Sequence, residues 1–282
     1  MKLSRNLTWS LRSRSLLAVL TDFGISDNYN GVMEAVIRRI NKNVDVVYIS
    51  PNSKNFNVIA GAYQLYTSYR YFRKYTTFLV VIDPGVGTRR RPLAVRTRNY
   101  FFVGPDNGVL LPAIREDGIL KVHSIDNERI YLSREISNTF HGRDIFSVSA
   151  ALLSRGVPIE TLGTRVDETD LVKLNLESRR ENGMICSKVF FVDHFGNVAL
   201  SLRNVRIKLG EKAKIRTRDG TFTGIGARTF QEGGSDLIIY RNGYGFLELG
   251  LNKADASVVL NVKEGDDVCL EESILEDFSP FT

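Results

Sequence analysis

Aspartates that directly follow predicted strands are the first residues in this chain that could carry chemistry. Thr21–Gly24 reads TDFG, is followed by Asp27, and comes directly after a short apolar run. An aspartate at the carboxyl end of a parallel strand lies where α/β proteins bind ligands, so Asp22 could accept hydrogen bonds from two ribose hydroxyls or bind a metal ion. The structural alternative is a surface turn in which Asp27 caps a helix.

Two further clusters follow later strands. The segment 83–91 reads DPGVGTRRR, and its glycines would let the backbone approach a ligand closely. It matches neither GxGxxG nor a phosphate-binding Walker loop, so a solvated basic loop remains the alternative. The segment 105–108 reads PDNG, which by itself predicts only a turn with a helix cap.

Histidine supplies the candidate general base. His141 stands in TFHGRD at 139–144, where a helix is predicted to begin. The positive end of a helix dipole disfavours a protonated ring, which predicts a neutral His141 able to accept a proton. His123 in a predicted strand and His194 in the loop 193–197 (DHFGN) are weaker candidates.

The pattern of apolar residues predicts the elements that position these clusters. From Leu16 to about Gly156, short apolar runs alternate with amphipathic stretches, which indicates a mainly parallel sheet covered by helices. A last helix is expected to start near Arg143 and to end before Gly156, which is well placed as a C-cap glycine. The predicted strands are 16–20, 44–50, 78–83, 93–97, 100–104 and 119–125.

After about Arg180 the pattern becomes all-β. Strand-like runs, among them 256–262, are separated by Asp219-Gly220, Gly233-Gly234 and Asn242-Gly243, which are typical of hairpin turns. We therefore expect an α/β domain over 15–178 and a smaller, barrel-like all-β domain over 184–282. Residues 1–14 are expected to form a basic tail.

Charge and composition narrow the class of function. The chain has 282 residues, 43% hydrophobic and 25% charged, as in a folded globular protein. Its formal charge is +6, and Lys2, Arg5, Arg12 and Arg14 supply +4 of it. Since little of the excess lies on the expected domains, nucleic acid is not the expected partner. The alternating tyrosines and arginines of 66–75 could stack bases, but their spacing favours the two faces of one helix.

The remaining exclusions concern membranes, metals and disulfides. No apolar run is long enough to span a bilayer. The two cysteines, Cys186 and Cys269, lie in no CxxC or Cys/His pattern, so neither a zinc site nor a disulfide framework is expected. This cysteine usage favours a reducing cytoplasm.

Five motifs taken in order carry a resemblance. TDFGxxDxYxG at 21–31, DPGVGTxRR at 83–91, PDNG at 105–108, TFHGRDIF at 139–146 and DHFGN at 193–197 together resemble the S-adenosylmethionine hydrolases (S-adenosylmethionine hydroxide adenosyltransferases), relatives of fluorinases and chlorinases. The resemblance runs from about Leu16 to Asn252. It implies an α/β domain followed by a β barrel, and a homotrimer whose sites lie between one subunit's N-terminal domain and its neighbour's C-terminal domain.

The resemblance also assigns roles by position. It implies that Asp83, Arg90 and His141 hold the attacking water and that Asp22 binds the ribose hydroxyls. Phe56 falls where an aromatic ring packs on the nucleoside. Around the methionine moiety and the adenine, the implied residues are Asn175, Asp193, Phe195, Asn197 and Tyr244. The chain departs from its relatives at Asn242-Gly243-Tyr244, where they have an Asn-Ser pair, and after FGN, where it reads VALS rather than Thr-Asn.

The function that this resemblance implies is hydrolysis of S-adenosyl-L-methionine to adenosine and L-methionine. An activated water would attack ribose C5′, either Asp83 or His141 would take its proton, and no metal or cofactor would be needed. A halogenase is the first alternative, disfavoured because a halide pocket requires small or hydroxyl groups in place of the charged set. The second is a non-catalytic module that binds S-adenosylmethionine or adenosine.

Overall fold

The computed structural model describes residues 14–276. Six strands form an N-terminal sheet: β1 (Ser15–Thr21), β2 (Val44–Ser50), β3 (Thr77–Val81), β4 (Pro92–Thr97), β5 (Phe101–Pro105) and β6 (Ile119–Ser124). Their order is β2-β1-β3-β5-β4-β6, and β4 alone runs in the direction opposite to the other five. The predicted mainly parallel sheet is confirmed.

Helices bury both faces of this sheet. They are α1 (Tyr29–Ile40), α2 (Val58–Ser68), α3 (Leu111–Asp117) and α4 (Ser147–Ser154). Leu17 and Val19 of β1 pack with residues of α1 and α4, whereas Ala18 and Leu20 pack with residues of α2 and α3. A strand buried on both faces has no polar alternation, which explains the uninterrupted apolar run at 16–20.

The helix that follows the HGRD motif has an irregular start and a regular end. One π-helical turn, Gly142–Phe146, leads into α4. Beyond α4, Gly156 has φ +88° and donates its amide to Leu153, while the amide of Val157 donates to Leu152. These two bonds form a Schellman motif, so the predicted helix end at Gly156 is confirmed.

The C-terminal half is a barrel. Its strands are β7 (Arg179–Glu181), β8 (Met184–Val192), β9 (Val198–Arg203), β10 (Arg206–Ile207), β11 (Lys212–Thr217), β12 (Gly220–Gly226), β13 (Leu237–Arg241), β14 (Phe246–Gly250), β15 (Asp267–Glu271) and β16 (Leu275–Glu276). Seven of them close in the order β8-β9-β14-β13-β12-β11-β15, because β15 also pairs with β8. β7 extends β8, and β10 pairs with β16. The predicted barrel is confirmed.

Two local predictions in this half are wrong. Gly233-Gly234 does not form a hairpin, since β12 and β13 pair in parallel and the chain must cross over between them. The run at 256–262 is not a strand but contains a short helix, α5 (Ala256–Leu260), because Asp255 accepts a hydrogen bond from the Val258 amide at 3.0 Å and caps it. The hairpins at Asp219-Gly220 and Asn242-Gly243 form as predicted.

The two halves of the chain pack against each other. Ala62 and Tyr63 of α2 lie in one buried cluster with Phe190, Ala199 and Phe246 of the barrel. Of the predicted basic tail, residues 1–13 lie outside the described residues. No helix within residues 14–276 is long and apolar enough to cross a membrane.

The two cysteines form a disulfide that the sequence analysis did not expect. Cys186 of β8 and Cys269 of β15 are directly opposed in the antiparallel pair that closes the barrel. Their separation of 83 residues hides this proximity in the sequence. Cross-strand neighbours are set by barrel closure, which no local spacing reveals.

Candidate active site

Asp83, Arg90 and His141 converge on one buried cluster. Arg90 Nε donates to both oxygens of Asp83, at 2.9 and 3.0 Å, and Nη2 donates to Oδ2. The side chains of Arg90 and Asp83 are 9% and 5% exposed. Charge-assisted bonds of this kind are strong, and burial strengthens their electrostatic part. Because Arg90 also contacts His141, two segments distant in sequence, 83–91 and 139–146, meet in one arrangement.

Arg90 also determines the tautomer and the protonation state of His141. Its Nη2 lies 2.9 Å from His141 Nδ1, and because a guanidinium only donates, Nδ1 must be the acceptor. A neutral ring then has its proton on Nε2. Burial, followed by the charge of Arg90, lowers the pKa of His141. The sequence predicts a neutral ring from the helix dipole, whereas the causes in the structure are desolvation and the neighbouring cation.

Asp22 lies beside this cluster at the end of β1. Its Oδ2 accepts the Phe56 amide at 2.7 Å. Burial is the largest cause that raises the pKa of Asp22, and the charge of Asp83 raises it further. Phe56 has φ +60° and its side chain is 74% exposed, so its backbone faces Asp22 while its ring projects outward.

Asp193, Phe195 and Asn197 form a compact turn between β8 and β9. Asp193 Oδ1 accepts the amides of Phe195 and Asn197, each at 2.9 Å, and Oδ2 accepts Asn197 Nδ2 at 2.8 Å. Phe195 is 75% exposed. With Asn197 and Phe230 it borders a cleft of about 700 Å³ that extends to Asp255. The cleft offers an aromatic ring and an amide on one wall, which suits a flat heterocycle.

A buried polar group, which the sequence did not predict, lies behind Tyr244. Glu248 accepts from Asn242 Nδ2 at 2.6 Å and from the Tyr240 hydroxyl, and Asn242 Nδ2 also donates to the Tyr63 hydroxyl at 3.1 Å. Asn242 Oδ1 accepts the Tyr244 amide at 3.0 Å. Burial raises the pKa of Glu248. The signal that could have revealed it is a glutamate inside the apolar run of β14.

The implied substrate residues do not all come together within one chain. Asp22 and Phe56 lie with Asp83, Arg90 and His141. Among residues 14–276, no hydrogen bond or ion pair joins that group to the Asp193 turn or to Tyr244. Asn175 is exposed, between two leucines that pack at the junction of the domains. Tyr244 is 47% exposed, and its ring meets Tyr63 edge-on.

The other histidines and the acidic residues add no second centre. His123 is buried in β6, and its Nδ1 has no hydrogen-bond partner among residues 14–276, while His194 lies on the Asp193 turn. Within the described part of the chain, no group of three or more His, Cys, Asp or Glu side chains is arranged to hold a metal ion.

Comparison with known proteins gives these residues a family. Residues 17–163 match the SAM hydroxide adenosyltransferase N-terminal domain, and residues 187–269 match the corresponding C-terminal domain. The (R)-S-adenosyl-L-methionine hydrolase of Methanocaldococcus jannaschii is 32% identical over 267 residues, which cover 90% of this chain and 94% of that protein. A fluorinase from Actinopolyspora mzabensis is 25% identical over 295 residues, covering 93% and 98%.

A solved structure agrees with the sequence relatives. An uncharacterized conserved protein from Thermotoga maritima superposes with a TM-score of 0.81 at 34% identity, covering 90% of this chain and 99% of that one. The chain belongs to the SAM hydroxide adenosyltransferase family.

Proposed function

We propose that the protein hydrolyses S-adenosyl-L-methionine to adenosine and L-methionine. The observation that carries this proposal is the buried Asp83–Arg90–His141 cluster beside Asp22, which combines a water-binding set with a carboxylate suited to ribose hydroxyls. The matching relatives named as hydrolases, at about 30% identity over most of the chain, support the same activity.

In the proposed reaction, the oxygen of water bonds to C5′ while the C5′–S bond breaks. The bonding pair goes to sulfur, so the sulfonium leaves as a neutral thioether. The protein has mainly to hold the water in line and accept its proton. We assign the proton to Asp83, because its carboxylate has lone pairs beyond those used by Arg90, whereas Nδ1 of His141 is occupied. His141 Nε2–H is left to orient the water.

We propose that this chemistry needs neither metal nor cofactor. The leaving group already carries the positive charge that makes C5′ electrophilic, so no Lewis acid is required to activate it. Activity that persists unchanged in EDTA would support this point, and its loss with recovery on adding a divalent metal would refute it.

We further propose a homotrimer with sites shared between subunits. Phe56 and Phe195 are 74% and 75% exposed within one chain, and among residues 14–276 no hydrogen bond or ion pair joins the groups that they flank. Rings that bind a nucleoside should be covered in the working site, and a neighbouring subunit could cover them. Cytoplasmic location, favoured by low cysteine usage, is also a proposal, and the Cys186–Cys269 disulfide is the observation against it.

A halogenase is the second candidate, since fluorinases are among the more distant relatives. The charged Asp83–Arg90–His141 set opposes it, because a halide has no proton to give up and would meet the carboxylate of Asp83.

Product analysis distinguishes the hydrolase from the halogenase and from a binding module. The protein is incubated with each sulfur epimer of S-adenosyl-L-methionine in chloride and in fluoride buffer, because the relatives' names specify the R form. We expect adenosine and methionine in equal amounts in both buffers. A 5′-halogenated adenosine would establish the halogenase instead, and bound but unaltered substrate would indicate a binding module.

A further inference from the structure

Phe56 lies in the loop between β2 and α2. The C-terminal barrel of the same chain binds one end of this loop. Its first half is anchored locally, since the Ser53 amide donates to Thr21 at 2.9 Å. Its second half, Lys54 to Asn57, is anchored by Glu264, which lies in the turn before β15 of the barrel. Phe56 stands between these two anchored residues.

Glu264 has three donors from two domains. Oε1 accepts Lys54 Nζ at 2.5 Å and the Val192 amide at 2.9 Å, and Oε2 accepts Asn57 Nδ2 at 3.1 Å. The Glu264 side chain is only 4% exposed. Lys54 also lies 5.2 Å from the centre of the Phe191 ring. A buried carboxylate with these partners is costly to disrupt and therefore holds its partners in place.

The loop geometry shows why this anchor matters for the site. Phe56 has φ +60°, a conformation that a bulky residue keeps only when its surroundings impose it. In that conformation its amide points to Asp22. On the far side, Asn57 Oδ1 accepts the Ala60 amide at 2.9 Å and caps α2. Asn57 thus connects Glu264 to both the helix start and the strained residue.

We infer that Glu264 is a positioning residue for nucleoside binding: from the barrel, it holds Lys54 and Asn57 so that Phe56 presents its amide to Asp22 and its ring to the substrate. This inference rests on the proposed function for the identity of the ligand. It assigns no contact between Glu264 and substrate. It predicts weaker binding on loss of Glu264, with little effect on the chemical step, because Asp83, Arg90 and His141 are held independently of it.

The test uses Glu264→Gln in the full-length protein. Glutamine keeps the size of the side chain but can direct an amide NH₂ at Asn57 or Lys54, which are themselves donors. Lys54→Met is the second variant, since it keeps the apolar stem and removes one donor while leaving Glu264 two others. Glu160→Gln is the matched control, because it breaks an exposed lysine–glutamate pair with Lys121 far from the loop.

Three readouts separate positioning from general stability. We expect Glu264→Gln to raise the Kd for adenosine about tenfold, equivalent to about 1.4 kcal/mol, and the KM for S-adenosyl-L-methionine similarly, with kcat within about twofold of the unmodified protein. Hydrogen–deuterium exchange should accelerate in peptides that contain the Phe56 amide and not in those of β3. Lys54→Met should shift the same quantities less, and Glu160→Gln should shift none.

The inference is overturned if Kd for adenosine stays within twofold in both variants, or if kcat falls as far as binding does. Should Glu264→Gln fail to fold, Lys54→Met decides by the same criteria. If the unmodified protein binds adenosine but forms no products, the proposed hydrolysis has failed, while adenosine affinity and exchange at Phe56 still test the role of Glu264.

Discussion

Two neighbouring arginines, Arg90 and Arg91, each bind an aspartate, but the two arginine–aspartate pairs differ in what surrounds them. Arg90 binds Asp83, and Arg91 binds Asp106 through Nε at 2.9 Å. Asp106 uses its other oxygen to accept the Val172 amide at 3.0 Å, so it joins β5 to a later segment. Asp83 instead lies beside Asp22 and, through Arg90, His141. The Arg91–Asp106 pair is therefore placed for structure, and the Arg90–Asp83 pair is placed for a ligand.

This difference gives a matched test of the general base. Asp83→Asn should lower kcat by about 10²- to 10⁴-fold, because the amide cannot take the proton from water, with KM little changed. Asp106→Asn should lower Tm but leave kcat of the folded protein within about twofold. Steady-state kinetics and thermal melts on both variants check this. Equal losses of kcat in the two would show that Asp83 acts through folding alone.

The pKa shifts at the site predict its acid limit. Burial raises the pKa of Asp22, whose ionised form is proposed to accept the ribose hydroxyls, and burial with Arg90 lowers the pKa of His141. As pH falls, Asp22 therefore protonates earlier than an ordinary aspartate and His141 later than an ordinary histidine. If protonation of Asp22 sets the acid limb, the midpoint of kcat/KM should lie above the pKa of an ordinary aspartate, about 3.9. A pH–rate profile whose acid midpoint lies below that of an ordinary aspartate would contradict this.

The sequence predicts most of the residues in this arrangement but not Glu248. Asp83, Arg90 and His141 are foreseeable because strand ends and a helix start bring polar residues to one edge of the sheet. Glu248 is not, because strand alternation predicts whether a side chain is buried and says nothing of its partners. The substrate-binding roles of Asn175 and Tyr244 remain predictions.

At the scale of elements, one glycine sets the distance between the Arg90 loop and the His141 segment. Gly87 has φ +76°, and a Cβ added there would lie 2.4 Å from the Asn138 carbonyl oxygen. Gly156 has φ +88°, and apart from its chain neighbours no atom of residues 14–276 lies within 4 Å of such a Cβ. Alanine at either position would strain the backbone, because both glycines have a positive φ. At Gly87 the backbone of the neighbouring segment would also have to move.

The two glycines therefore make a matched pair. Gly156→Ala should cost about 1–2 kcal/mol of stability from left-handed strain alone, with kcat/KM unchanged. Gly87→Ala should lower stability by at least as much and also lower kcat, because Arg90 and His141 move apart. Denaturant unfolding and kinetics on each variant provide the measurement. An unchanged kcat in folded Gly87→Ala would show that the loop tolerates the displacement.

The type of an element, strand or helix, was predictable where the residues of the element itself determine it. Strands β1 to β6 and the end after α4 follow from apolar runs and from Gly156. The parallel pairing of β12 with β13 does not, because it depends on how the barrel closes rather than on the Gly233-Gly234 turn. The apolar run of α5 suits a short strand or a short helix equally, and the cap from Asp255 decides.

At the scale of the whole molecule, shared sites predict rescue between inactive subunits. Asp22→Ala and Asp193→Ala should each abolish activity alone. After unfolding and refolding as an equal mixture, about a quarter of the interfaces would combine an intact Asp22 with an intact Asp193, so about a quarter of normal activity should return. Activity assays before and after mixing measure this, with unmixed refolded variants as controls. No recovery would mean that each site lies within one chain.

The disulfide also belongs to this scale because it joins the strands that close the barrel. It links residues 83 positions apart, and a closed loop of that kind contributes typically about 2–4 kcal/mol. The Cys186→Ser, Cys269→Ser double variant should therefore melt lower than the oxidised protein, and dithiothreitol should lower only the unmodified protein's Tm. Mass spectrometry of protein alkylated during purification counts the cysteines that were free and so gives the native state. Two free thiols with an unchanged Tm in reductant would contradict this role.

The central claim is that water attacks ribose C5′ at the Asp83–Arg90–His141 cluster. Reaction in ¹⁸O-labelled water tests it most directly, because only direct attack places the solvent oxygen on the carbon that loses sulfur. Mass spectrometry of the products should find one ¹⁸O in the 5′-hydroxyl of adenosine and none in methionine, at a rate that Asp83→Asn reduces by about 10²-fold or more. Unlabelled adenosine, label elsewhere in the products, or 5′-chloroadenosine formed in chloride buffer would contradict the account.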